Sequence, residues 1–147
     1  MKVNFYFFLL FTLFSFTAFS QVTKVPQLAK DNFAQQYPTA QHASWDNDVI
    51  NVNVRFELNG EKMNAEYSNK GIWKKTEKSW AYDKLPETVK DGFNKSKYAD
   101  RGVTETVIVY LPGDVEQYRL KVEKNDLQKK YLFFNKDGRL VREAITL

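Results

Sequence analysis

The chain has no cysteine and only one histidine, His42, among its 147 residues. Without thiols there is no disulfide framework, no thiol nucleophile and no cysteine to carry a lipid at a processing site. One histidine and no cysteine cannot assemble the usual zinc ligand set. No G-x-S-x-G turn presents a serine to a base, and His42, just past a predicted helix, reads as a surface or capping residue. Asp46-Asn47-Asp48 and Asn135-Lys136-Asp137-Gly138 lack the spacing and terminal Glu of a calcium loop, and turn chemistry accounts for them. Glu57, Glu66, Glu123 and Glu143 fall on predicted strands, but nothing brings two of them together for acid–base work. The reading is therefore of a protein that is not an enzyme and has no cofactor. Charge of one sign is never concentrated: 22 Lys and Arg are interspersed with 18 Asp and Glu. No basic stripe exists of the kind a nucleic acid requires.

What the chain does have, at its start, is an apolar run from Phe5 to Phe19 interrupted only by Thr12, Ser15 and Thr17. Lys2 precedes it and Ala18-Phe19-Ser20 follows. This predicts a signal peptide over residues 1–20, cleaved before Gln21. The run is shorter than the roughly 20 residues of a membrane-spanning helix. The mature chain is expected to be periplasmic or secreted, with no stable membrane insertion after cleavage.

The organising stretch is Val49 to Gly71. Ile50, Val52, Val54, Phe56 and Leu58 alternate with Asn51, Asn53, Arg55 and Glu57, the period of a strand with one buried face. Asn59-Gly60 supplies a tight hairpin turn. Met63, Ala65 and Tyr67 return, and the chain turns again at Ser68-Asn69-Lys70-Gly71.

A diverged copy of this pattern lies downstream. Val25-Pro26-Gln27-Leu28-Ala29-Lys30-Asp31-Asn32-Phe33 matches Leu85-Pro86-Glu87-Thr88-Val89-Lys90-Asp91-Gly92-Phe93 sixty positions later. Each opens a helix with proline at its start. The first helix is predicted to close at Pro38, and the second to run towards Tyr98 and end at Gly102. Phe56-Glu57-Leu58-Asn59-Gly60 matches Val122-Glu123-Lys124-Asn125-Asp126, and Tyr67-Ser68-Asn69-Lys70-Gly71 matches Phe134-Asn135-Lys136-Asp137-Gly138. Each unit reads helix, short strand, three-stranded meander. The predicted boundaries are 22–80 for the first unit and 81–147 for the second, with Ser79 to Lys84 as linker.

A duplicated helix, strand and meander ending in a Tyr/Phe-x-x-x-Gly turn, in a short exported chain, resembles the PepSY-like, beta-lactamase-inhibitor-like family of envelope proteins. The resemblance covers Val25 to Leu147. It implies an α+β fold of two tandem PepSY-like units. Each would be a helix packed on an antiparallel sheet of about four strands, and together they would form one broad concave sheet. It also implies binding rather than catalysis, since related modules restrain peptidases and the inhibitors grip an enzyme with the open sheet face. The chain departs from those inhibitors in having no disulfide.

Aligning the two copies locates a binding surface. Ala65 pairs with Leu132 and Tyr67 with Phe134 on the helix-facing side. Asn64 then pairs with Tyr131 and Glu66 with Phe133 on the other, so two polar positions become aromatic. Tyr118, Leu120 and Val122 face inwards, which sets Arg119 and Lys121 beside those rings. Tyr110 is expected to join them, because Glu105 to Leu111 is apolar on both faces, and Arg55 contributes from the first unit. Rigid rings bordered by Arg and Lys suit a protein or peptide partner. A homodimer, in which a second copy of the chain covers the same patch, is the alternative.

Overall fold

Alternation of apolar and polar residues, broken by paired turn residues, dictates most of the architecture. The computed structural model describes residues 24–48, 50–125 and 128–146, so the predicted leader lies outside the described residues. The element order is α1 (Gln27–Gln36), β1 (Gln41–Asn47), β2 (Asn51–Leu58), β3 (Glu61–Ser68) and β4 (Trp73–Ser79). After a 3-10 turn at Tyr82–Lys84 come α2 (Glu87–Asn94), β5 (Gly102–Leu111), β6 (Val115–Glu123), β7 (Lys129–Asn135) and β8 (Leu140–Ile145). The eight strands form one open antiparallel sheet in sequential order, so the fold is α+β. Asn59 (φ 53°) and Gly60 (φ 79°) turn β2 into β3 with the positive φ pair predicted for them.

Both helices cover the same face. Ala29 and Phe33 of α1 pack on Val52, Val54, Phe56, Ala65 and Tyr67. Val89 and Phe93 of α2 pack on Ile108, Tyr118, Leu120, Val122, Leu132 and Phe134. The two cores meet on one side of the sheet, since Thr76 pairs with Tyr110 across β4–β5 and Tyr37, from the end of α1, bonds Thr76 at 2.6 Å. Each helix is entered in the same way: the Pro26 carbonyl accepts from Ala29 and Lys30, and the Pro86 carbonyl from Val89 and Lys90.

The helices also lie directly on glycines. A Cβ at Gly71 would stand 2.7 Å from Leu28 Cβ, one at Gly138 would stand 2.0 Å from the Thr88 carbonyl oxygen, and one at Gly92 1.9 Å from that of Gly138. The glycine closing each Tyr/Phe-x-x-x-Gly turn therefore forms the floor under the first turn of a helix. Side chains stitch the same seams, with Asn32 donating to the Gly71 carbonyl and Thr88 to that of Lys136.

Two boundaries differ from expectation. Helix α2 stops at Asn94, where Lys95 N–H turns back to Asp91 and Phe93. Tyr98 reaches the core from the following turn rather than from the helix, and is buried there. Gly102 opens β5 instead of closing a helix.

Candidate functional site

The face away from the helices is the part of the sheet that neither helix covers. Cross-strand register fixes its residues: Arg55 stands opposite Asn64, Asn64 opposite Glu77, Glu77 opposite Val109, Val107 opposite Arg119, Arg119 opposite Phe133, and Phe133 opposite Arg142. Lys121 and Tyr131 oppose each other one pleat away. Arg55, Arg119, Lys121, Tyr131 and Phe133 thus share the predicted face.

Tyr110 does not. It pairs with Thr76 on the helix side and packs against the second core. Burial there raises its hydroxyl pKa. With both faces of β5 apolar, alternation alone could not orient the strand. Val107 and Val109 occupy the open side, and are 5% and 3% exposed.

Nor is Phe133 a displayed ring. It is 5% exposed, and the Arg142 guanidinium lies 3.6 Å from its centroid. Arg119 lies 4.9 Å from the centroid of Tyr131, which remains half-buried. Guanidinium planes roof apolar surface well because they are weakly hydrated and attracted to ring faces. Val107, Val109 and Phe133 thus form a thin apolar layer with arginines above it.

Ion pairs lock this roof. Arg119 donates from Nη1 to Glu77 at 2.9 Å and from Nη2 to Glu105 at 2.7 Å. Lys75 holds Glu77 at 2.6 Å and Glu66 at 3.4 Å. The chain of charges therefore runs from β3 to β6 across the seam between the halves. Arg119 and Glu77 side chains are each 15% exposed, so their geometry is preorganised rather than a flexible surface pairing. Lys121, opposite Tyr131, is engaged by Glu123 at 3.5 Å. Arg55 is exposed, and borders the grooves of the first half.

Three adjoining grooves open on this face. One of about 480 Å³ runs from Arg55 and Glu57 past Asn64 and Glu77 to Glu105 and Arg119. A second, of about 310 Å³, is walled by Lys75, Val109, Gln117, Phe133 and Arg142, and shares Glu77 and Arg119 with the first. A third, of about 160 Å³, lies between Ser44, Asp46, Asn53, Arg55 and Asn64. Among the described residues no group of His, Cys, Asp and Glu side chains is arranged to hold a metal ion.

Sequence reasoning missed Glu77, Glu105, Lys75 and Arg142. The face of Glu105 was hidden, because the orientation of β5 is set by its pairing with β4 rather than by its own sequence. The placement of Arg142 depends on a bulge in β8 between the partners of Phe133 and Phe134, which no residue pattern announces.

This geometry defines a helix-backed sheet that presents one broad, charge-laced face. The chain belongs to the beta-lactamase-inhibitor-like, PepSY-like family, whose model matches residues 51–142. Among solved structures, it is similar to a DUF2874 family protein from Bacteroides ovatus ATCC 8483 (TM-score 0.73, 26% identity, 82% of this chain and 87% of that one). It also shares its fold with a BLIP-like protein from Bacteroides fragilis NCTC 9343 (TM-score 0.72, 23% identity, 82% and 86%). A protein from Bacteroides eggerthii DSM 20697 described as periplasmic gives a TM-score of 0.70 at 23% identity, covering 82% and 88%. Comparison with curated proteins gives no significant match. No helix among the described residues is long and apolar enough to cross a membrane.

Proposed function

We propose that the chain is an exported, non-catalytic binding module that engages a protein or peptide through the open face of its sheet. The observation that carries this reading is that three adjoining grooves open on the one face free of helices, with Arg119 shared by two of them and Arg55 by two. The family and the BLIP-like neighbour support binding over catalysis, and the periplasmic relative supports export. Where the partner is an enzyme of peptidase or beta-lactamase type, the mechanism is steric occlusion of its cleft. The two halves are read as a tandem duplication, which the equivalent proline entries and glycine floors support. Duplication makes the face broad enough for a macromolecule, while divergence gives the second half Tyr131 and Phe133 where the first has Asn64 and Glu66.

The test is affinity capture from an envelope extract with tagged residues 21–147, comparing the native sequence with Tyr131→Ala combined with Arg55→Glu. Phe133 is left intact, since removing a buried ring would hollow the sheet as well as the surface. The double variant is expected to lose its specific partner while keeping its thermal unfolding profile. Unchanged capture counts against this face. Sedimentation of the native chain distinguishes the alternative, a structural envelope protein whose copies pair through the same patch.

A further inference from the structure

Four of the six large aliphatic side chains exposed among the described residues, all but Val141 and Ile145 of β8, lie at one end of the sheet, separate from the face described above. Leu28 in the first turn of α1 is 62% exposed, Ile50 beside the start of β2 73%, Ile72 after the β3–β4 turn 63%, and Val115 at the β5–β6 turn 45%. Register puts all four at that end. Asn51 pairs with Ser68, Ser68 N–H bonds the Ile72 carbonyl, Leu28 touches Gly71, and Val115 faces Leu111 across the last pair of the β5–β6 ladder. Turns ordinarily carry polar residues. Here three of the four turns along one end carry an aliphatic one instead, and the β7–β8 turn is polar.

The chain enters at the same end. Asn47, the last residue of β1, donates to the Lys24 carbonyl, and Val25 packs into the first core. Only Ser20 to Thr23 separate Lys24 from the apolar run ending at Phe19. The sequence therefore joins that apolar run to the end of the sheet at which Leu28, Ile50 and Ile72 are exposed. Lys24 and Lys70 are exposed beside them, and Lys74 reaches the Asn51 side chain. Asp48, Asp114 and Asp137 are the acidic residues on the turns of this end, and Lys136 and Arg139 flank the last of them. Lysine stems can lie along apolar surface while their ammonium groups reach lipid headgroups.

We propose that this end of the sheet, with Leu28, Ile50, Ile72 and Val115 at its tips, is a membrane-docking surface that rests on the lipid headgroup layer. It leaves the open face pointing sideways along the bilayer, free for a partner, and does not depend on that partner's identity.

Residues 24–146 contain both cores and the whole sheet, so the chain without its leader is the form to test. Residues 21–147 are floated with vesicles of phosphatidylethanolamine and phosphatidylglycerol, alongside Leu28→Ser/Ile50→Ser/Ile72→Ser. The native chain is expected to float, and the triple variant to lose more than about tenfold in vesicle partitioning, since three aliphatic side chains leave the interface. Thermal unfolding should match, because all three are exposed. A native chain that stays off the vesicles overturns the proposal, and so does a triple variant that floats equally well. Self-association abolished by the triple substitution, without vesicle binding by the native chain, would also overturn it by assigning the end to a second copy.

Discussion

Arg119 illustrates how a residue chosen for one role can be placed for another. On sequence it was a free cation beside aromatic rings. In the fold its guanidinium bonds Glu77 and Glu105 and covers Tyr131. Removing it takes from Glu77, which is 15% exposed, one of its two cationic partners, leaving Lys75, and uncovers Val107, its cross-strand neighbour. Arg119→Ala is expected to cost about 2 kcal/mol in urea unfolding, below a fully buried pair because Glu105 is solvated. Arg119→Lys should recover only part, since an ammonium cannot reproduce the fork to two carboxylates. Equal stability of Arg119→Ala and the native chain would show that the ladder contributes nothing net. The face of each site residue was legible on β6 from alternation and on β7 from alignment with the first copy, which set Leu132 and Phe134 on the helix side, where they are fully buried with Leu120. The caps over the rings were not legible. They depend on how far β8 slips at its bulge, and one residue of slip would carry Arg142 to the other side.

At the scale of elements, the glycines report which local features are structural demands. Gly60 needs its positive φ, but a Cβ there meets nothing within 4 Å. Gly92 has the opposite problem: a Cβ would press on the Gly138 carbonyl. Gly60→Ala should therefore cost about 1 kcal/mol, and Gly92→Ala about 3 kcal/mol as α2 is lifted from its floor. Urea midpoints of the two variants check the order, and a smaller loss for Gly92→Ala would mean that α2 can shift freely. Helix starts, hairpin turns and strand periods were readable because each is set by a few adjacent residues. Gly102 was misread because it follows a helical stretch. Only the tertiary position of Tyr98, buried from a turn beyond Asn94, explains why the helix stops early. The orientation of β5 was equally hidden, being decided by its partner β4 rather than by its own sequence.

For the molecule as a whole, the junction between halves is the pairing of Thr76–Ser79 with Val107–Tyr110. Arg119 on β6 reaches Glu77 on β4 across it. Trp45 and Trp73 pack on the first core and Trp80 on the second. Tryptophan fluorescence and far-ultraviolet circular dichroism are expected to trace the same urea transition, since neither core is closed without the shared sheet. Separate transitions would mean that the junction is too weak to couple the halves. Every strand of the sheet lies beside its immediate successor in the chain. Few long loops must close before contacts are rewarded, a topology that favours rapid assembly. A polypeptide delivered amino end first could complete α1 and the first four strands while the remainder is still being supplied. The carboxy-terminal half would then grow onto a β4 edge that is already in place, with the early core serving as its template.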